Sequence, residues 1–491
     1  MNTNIFKLIA AIVAAWFAMA TTTAQEAKTM YIMKGGRIMF ETATSKIDSV
    51  IFYQPEELPV VITTMDELPE PETFERQAAP PDLLTMFNGA PVTTKEEWAM
   101  RREEIKGILQ KYMYGMWRTG ENVTYSFNAN KTSMTVTVEK DGKSFDFNAA
   151  VNLPTGTAPE GGWPVAVVFI LALPTNYYSY LVQQGYALIT ITSVESLKIT
   201  SDNKSGLSTA GKTGGFWTLY PYDNNDWKNQ TGTIMALAWG ASKIMDALAG
   251  GADEALNINT EAAVITGASA NDKYAPAATC TGAFDERFKV IMPVNAGFGG
   301  TTMGRYKSEG ITYTLLPEFQ GDPKTGSINL AAWTSSGVST ALATIQGGWF
   351  NTNFEKFTQY EQLPFDAHFI TALSCMEDRY MFMVSGITSN SPLSPPGMWY
   401  NYESAKPAFD LMGLSDNIAI QYHLNNTYPE QVDLIKMNAY INKRVHDKDY
   451  DTSTFPSPWN TLLKDWTLED LKSCIFATEA NKESYEAGKA K

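Results

Sequence analysis

Residues 262–300, AAVITGASANDKYAPAATCTGAFDERFKVIMPVNAGFGG, constrain the fold of this chain more than any other stretch. An apolar run from Ala262 to Ile265 meets a sharp turn signal, Gly267-Ala268-Ser269-Ala270-Asn271; a segment rich in small residues follows, and then a second apolar run, Val290 to Met292. Strand, tight turn with one serine, helix is the layout of a nucleophile elbow, in which the serine is lifted onto a strained bend and the following backbone N–H groups face the place where an oxyanion would form. A plain buried turn between a strand and a helix uses the same letters, and elbow-like pentapeptides are common, so the rest of the chain has to decide between the two.

With 491 residues the chain has room for one large α/β domain with attachments. Thr94, with Glu97 three residues on, is a capping box, and Trp98, Ile105, Leu109 and Met113 recur at near-helical spacing; together they predict a helix running on to Tyr112. Alternating strands are expected at Val123–Phe127, Met134–Val138 and Ser144–Leu153. The continuous apolar runs Pro164–Leu171 and Tyr186–Ile191 read as buried parallel strands. A helix over Thr231–Leu248, the elbow, a strand at Met381–Val384, a helix over Gly397–Gly413, a short strand Ala419–Tyr422 ending at His423 and a last helix Gln431–Asn442 complete the pattern. Antiparallel strands followed by alternating strands and helices predict a mixed α/β sheet. The polar stretch 195–230 is long for an irregular segment inside a compact domain and reads as site-forming loops; residues 297–346 are again loop-rich.

Residues 1–24 read as a secretory signal: Lys7 precedes an apolar run from Leu8 to Ala20, and small residues end at Thr22-Thr23-Ala24. The run is too short to span a bilayer comfortably, and no later segment reaches that length, so a soluble protein in a periplasm or outside the cell is expected. Residues 28–54 form a small β module, with short strands at Met30–Met33, Ile38–Thr42 and Ser49–Tyr53, too small to bury a core alone. The Pro-rich residues 55–83 read as an extended linker or wrapping arm, and the main domain occupies 84–491.

The net charge of −15 argues against nucleic acid, whose phosphates it would repel. Three cysteines, Cys280, Cys375 and Cys474, make no disulfide framework and allow one bridge at most. Three histidines, His368, His423 and His446, confine a histidine-based site to three candidates. No His/Cys cluster supports a transition metal, Gly297-Phe298-Gly299-Gly300 lacks the continuation of a phosphate loop, and Asp223–Asp226 lacks the glycine and terminal glutamate of a calcium loop, so no metal or cofactor is expected. Aromatic residues make up 12%, which fits β-rich packing or the stacking of flat rings on sugars.

Several blocks occur in order: VTTKEEWAMRREEI followed by KYMYG, then GTIMALAWGASKIMDAL, GAFDERFKVIMP, WFNTNF and LPFDAH. In them, over roughly residues 65 to 445, the chain resembles the glucuronoyl esterases of carbohydrate esterase family 15. The resemblance implies an α/β-hydrolase fold, a mixed and mostly parallel sheet with helices on both faces, here preceded by the β appendage. It also implies acyl transfer through Ser, His and an acid, acting on the ester between 4-O-methyl-glucuronate of glucuronoxylan and lignin alcohols. The family's elbow, G-C-S-R-N-G-K, corresponds to Gly267 through Lys273, which makes Ser269 the nucleophile and Lys273 the sugar-binding lysine. The arginine that supports the oxyanion is replaced by Ala270, whose backbone N–H remains. The family's acid lies in P-Q-E-S-G-x-G-G, where this chain has Asn295; the other acid position known in the family falls in Gly386–Ser394, which holds no Asp or Glu. The base is carried over onto His423, and His368 falls in a block read as structural.

Ser269 and His423 stand in the chain order a serine hydrolase needs. Asn295 can accept a hydrogen bond from an imidazole and orient it, yet it cannot stabilise an imidazolium as a carboxylate does; such a loss costs roughly 10⁴-fold in rate. Losing one oxyanion donor costs roughly 10²–10³-fold. The expected function is a secreted, monomeric carboxylic ester hydrolase acting on a plant polysaccharide or uronate ester, with no nucleic-acid or membrane partner. The alternatives are an impaired relative that binds acidic polysaccharide through Lys273, Trp217 and Trp349, and a structural relative that keeps only the fold.

Overall fold

A computed structural model describes residues 29–34, 37–43, 58–77, 79–169, 179–191, 197, 212–268, 273–305, 312–314, 327–329, 349–357, 360–386, 395–423 and 431–444. The chain divides into two units, Met1–Leu58 and Pro59–Lys491. In the first, β1 (Thr29–Lys34) and β2 (Arg37–Ala43) pair antiparallel, with a register shift between Ile32 and Met33. The third strand expected at Ser49–Tyr53 lies outside the described residues.

The second unit is built on nine strands: β3 (Asn122–Phe127), β4 (Ser133–Lys140), β5 (Lys143–Asn152), β6 (Trp163–Phe169), β7 (Ala187–Ile191), β8 (Ile258–Ala268), β9 (Val290–Val294), β12 (Tyr380–Gly386) and β13 (Ile418–His423). Two further short strands, β10 (Thr312–Thr314) and β11 (Ser327–Asn329), pair antiparallel with each other. The large sheet has the order β13-β12-β9-β8-β6-β7-β5-β4-β3. Strands β3, β4 and β5 form an antiparallel meander joined antiparallel to β7, and from β7 to β13 every pairing is parallel. The division follows the sequence pattern. β5 alternates buried and exposed positions, as a strand with one wet face does; β9 and β12 are buried at every position, as strands covered on both faces must be.

Helices cover both faces. On one side lie α1 (Lys95–Leu109), α2 (Thr233–Ala247), α3 (Tyr274–Phe284), α4 (Ala367–Ala372) and α5 (Pro395–Met412), sharing the larger core with Trp239, Phe369 and Trp399. On the other, α6 (Gln431–Arg444) seats Leu434, Met437, Tyr440 and Ile441 against Val264, Met292, Phe382 and Val384. The result is the α/β-hydrolase layering. No helix among the described residues is long and apolar enough to cross a membrane.

Helix α1 begins as its sequence dictates: the Glu97 N–H donates to Thr94 Oγ1 at 3.2 Å, and the Thr94 N–H donates to Glu97 Oε2 at 2.9 Å. The helix widens into a π turn over Gln110–Tyr114 and stops at Gly115, whose φ of 83° only glycine adopts freely and whose added Cβ would sit 2.4 Å from Thr231 Cα. The Pro-rich segment is held along this unit by polar contacts to its backbone carbonyls. Lys111 Nζ donates to Leu68 O at 2.7 Å, the Tyr112 hydroxyl to Pro69 O at 2.6 Å, and His368 Nε2 to Pro81 O at 2.9 Å. Cys280 and Cys375 are buried free thiols, so they do not form the one bridge that the cysteine count allowed.

Candidate active site

The sheet order reverses between β6 and β8: the chain steps from β6 outward to β7, then returns to the other side of β6 for β8 and continues away through β9 and β12 to β13. Open α/β sheets bind ligands at such a switch point, at the carboxyl ends of the strands. Here the chain leaves β8 at Ala268 and re-enters description at Lys273, which precedes the first residue of α3. Ser269 and Ala270 lie outside the described residues. The described ends of β8 and α3 on either side come close together. A Cβ added to Gly267 would lie 2.5 Å from the Tyr274 carbonyl oxygen and 3.2 Å from Phe169 Cβ. The strand end and the helix start are thus in contact at Gly267. That is the geometric demand of a nucleophile elbow. Lys273 is buried beside the turn, 5% exposed.

The neighbouring strand β9 leads directly into Asn295, which is 1% exposed and has a φ of 56°, a left-handed value that asparagine tolerates better than most residues. Its N–H donates to Val384 O at 2.8 Å, and its Oδ1 accepts from the Gly386 N–H at 2.6 Å. The residue standing at the acid position therefore stitches the end of β9 to the end of β12. His423 is the last residue of β13 and pairs with Gly386. Three strand spacings separate β13 from β8, about 14 Å at ~4.8 Å each. A base and its nucleophile have to approach to about 3 Å, so strand positions alone do not bring Ser269 and His423 together.

The two candidate sugar-binding tryptophans differ. Trp217 is 3% exposed, packs edge-on against Phe216, and donates from Nε1 to Thr231 O at 3.2 Å. The ring expected to stack on a sugar is instead packed in the core. Trp349 is half-buried beside Phe350, and its Nε1 finds no hydrogen-bond partner among the described residues. Phe350 in turn meets Phe298, which follows β9, so Trp349 belongs to the carboxyl side of the sheet. His368 is 2% exposed, and burial pushes its imidazole down to about 4, which keeps it a neutral structural donor. One titratable pair was not legible in the sequence. Lys212 Nζ lies 4.0 Å from the Tyr222 ring centroid, with its ammonium drawn down to about 8 by burial, and burial raises the Glu355 carboxyl to about 7 against the opposing pull of Lys212. The two residues are far apart in the chain and match no motif, so only the fold could bring them together.

The family model described as "Glucuronyl esterase, fungi" matches residues 136–413, more than half of the chain. A solved carbohydrate esterase family 15 glucuronoyl esterase from Caldicellulosiruptor kristjansonii aligns with a TM-score of 0.64 and 31% identity, covering 77% of this chain and 95% of that one. This chain belongs to the glucuronoyl esterase family. Its members are carboxylic ester hydrolases, and the α/β-hydrolase fold of the family is the fold seen here. Among curated relatives, a "Multidomain esterase" of Ruminococcus flavefaciens is 33% identical over 410 residues, 82% of this chain and 49% of the relative, so the chain spans about half of that protein's length. A "4-O-methyl-glucuronoyl methylesterase" of Schizophyllum commune is 28% identical over 388 residues, covering 77% of this chain and 86% of the relative.

Proposed function

We propose that this chain is a secreted serine-type hydrolase of uronate esters of plant polysaccharide, such as the 4-O-methyl-glucuronoyl ester of glucuronoxylan and lignin. Ser269 is the nucleophile, the Ala270 N–H an oxyanion donor and His423 the base, while Lys273 and Trp349 hold the sugar. The observation that carries this reading is the contact of Gly267 with Tyr274 at the switch point of the sheet, in a chain of this family. The relatives named for 4-O-methyl-glucuronoyl esters support the substrate class. The test is hydrolysis of benzyl glucuronate by the wild type and by Ser269→Ala. A loss of about 10³-fold or more is expected, and equal rates would overturn the reading.

A second reading, binding without turnover, is favoured by two observations. Asn295 spends its side-chain oxygen on the Gly386 N–H, and β13 stands three strands from β8. It predicts saturable binding of glucuronoxylan oligosaccharides that weakens in Lys273→Ala and leaves the ester intact. The absence of any spectral shift on titration would remove it.

A further inference from the structure

Two charged side chains on the ligand side of the sheet face each other without bonding. Glu355 closes the one-turn helix Thr352–Glu355. The segment leading into it is fixed to the start of α2: the Ile234 N–H donates to Trp349 O at 3.3 Å, and Thr352 Oγ1 donates to Gln230 Oε1. It is also fixed to the loop just past β9, where a Cβ on Gly299 would lie 2.6 Å from Phe350 Cζ and 3.5 Å from Ile234 Cδ1. Glu355 therefore belongs to the carboxyl side of β9. Lys212 and Tyr222 come from the segment that follows β7. Strands β7 and β9 stand on either side of the β6–β8 pair at which the sheet order reverses, so the cluster draws on both walls of the crevice where such sheets take their ligands.

Lys212 is 7% exposed, and its Nζ sits 4.0 Å from the Tyr222 ring centroid, held there by the face of the ring. Among the described residues Nζ makes no hydrogen bond and no ion pair, and Glu355 Oε2, also shielded from water, has no partner. The two charges still act on each other. Burial draws the Lys212 ammonium down and Glu355 props it up; burial raises the Glu355 carboxyl and Lys212 pulls it back. Polar groups removed from water need hydrogen-bond partners; an ammonium only donates and a carboxylate only accepts. One group serves both if it accepts from the first and donates to the second, as a sugar hydroxyl does. The cluster also selects against anions. With both groups ionised it carries no net charge, and a carboxylate drawn to Lys212 would have to lie against Glu355 as well.

We propose that Lys212, Tyr222 and Glu355 form a subsite for a neutral sugar of the polysaccharide chain, with a sugar hydroxyl accepting from Lys212 Nζ and donating to Glu355. This rests on the reading of the chain as a hydrolase of polysaccharide uronate esters. The subsite is separate from Lys273, which that reading assigns to the uronate, and it lends affinity for the chain that bears the ester without entering the bond cleavage.

Xylotetraose, which has neither an ester nor a carboxylate, is the direct probe. Calorimetric titration of the wild type should show saturable binding. In hydrolysis, KM for a glucuronoyl ester carried on a xylo-oligosaccharide should lie about tenfold below KM for benzyl glucuronate. Lys212→Met and Glu355→Leu should each weaken xylotetraose binding by about tenfold or more and bring the ratio of the two KM values close to one. Wild-type protein that takes up no xylotetraose overturns the proposal without recourse to any variant. So do equal KM values for the two esters in the wild type, or folded variants that bind xylotetraose as the wild type does, which would leave water alone between Lys212 and Glu355. Xylotetraose binding that both folded variants lose, in a protein without Ser269-dependent hydrolysis, upholds the subsite and sinks the esterase reading instead.

Discussion

Two residues at strand ends show how much a single side chain can decide. Gly267 has no room for a Cβ: the atom it would meet at 2.5 Å is a backbone carbonyl oxygen, which cannot rotate away. Gly267→Ala should cost roughly 1–3 kcal/mol by overpacking and should also displace the turn carrying Ser269, so thermal melts and ester hydrolysis fall together. Unchanged values of both would mean that the strand and helix are not in the contact described. Asn295 combines a left-handed backbone with a buried hydrogen bond to the Gly386 N–H. Asn295→Ala loses both and should cost about 2 kcal/mol, whereas Asn295→Asp keeps an acceptor and a tolerated φ and should cost clearly less. Denaturant midpoints for the two variants check the ordering.

At the scale of elements, helix α1 is held at its start by local chemistry and along its length by burial. The capping box satisfies two backbone N–H groups that the helix itself cannot, and Thr94→Ala should lower stability by about 1 kcal/mol. Deeper in, Glu121 joins the entry of β3 to α2. It accepts from Lys243 Nζ at 2.9 Å, from Trp239 Nε1 at 3.1 Å and from the Tyr220 hydroxyl, with its own side chain fully buried. These donors outweigh the burial that would raise it and hold the Glu121 carboxyl below the usual range. Glu121→Ala leaves Lys243 buried without its main partner, and breaking a buried pair from one side costs roughly 3–5 kcal/mol. A chemical-denaturation difference below 1 kcal/mol would show that the cluster relaxes onto Asp246, which also accepts from Lys243 at 2.5 Å.

Across the whole molecule, the packing of the Pro-rich arm couples stability to pH. His368 is neutral, donates to Pro81 O, and is pushed by burial from about 6.5 down to about 4. Its contribution is complete above the unfolded value and is lost as pH falls, because the unfolded chain takes up the proton first. Between about pH 6.5 and 4 the loss approaches about 3 kcal/mol, 2.5 units at 1.36 each. His368→Gln should flatten the stability profile across that window and leave the alkaline side unchanged. A profile of unaltered slope would mean that His368 is not buried neutral.

Much of the architecture was readable from local pattern. The capping box of Thr94 and Glu97, the alternation of β4 and β5, the unbroken apolar runs of β6 and β7, and the strand–turn–helix around Gly267 all depend on neighbours within a few residues. Backbone propensity and burial periodicity act over that range, so the sequence by itself determined the elements and their order. It could not determine what distant segments do to one another. That Trp217 turns inward and Trp349 stays at the edge, that Lys212 and Glu355 come close enough to act on each other's charge, and that the oxygen of Asn295 belongs to Gly386 were decided only by the tertiary structure. The reason is physical: sheet order and helix packing set these distances, and nothing in the local chain encodes which strand will lie beside which.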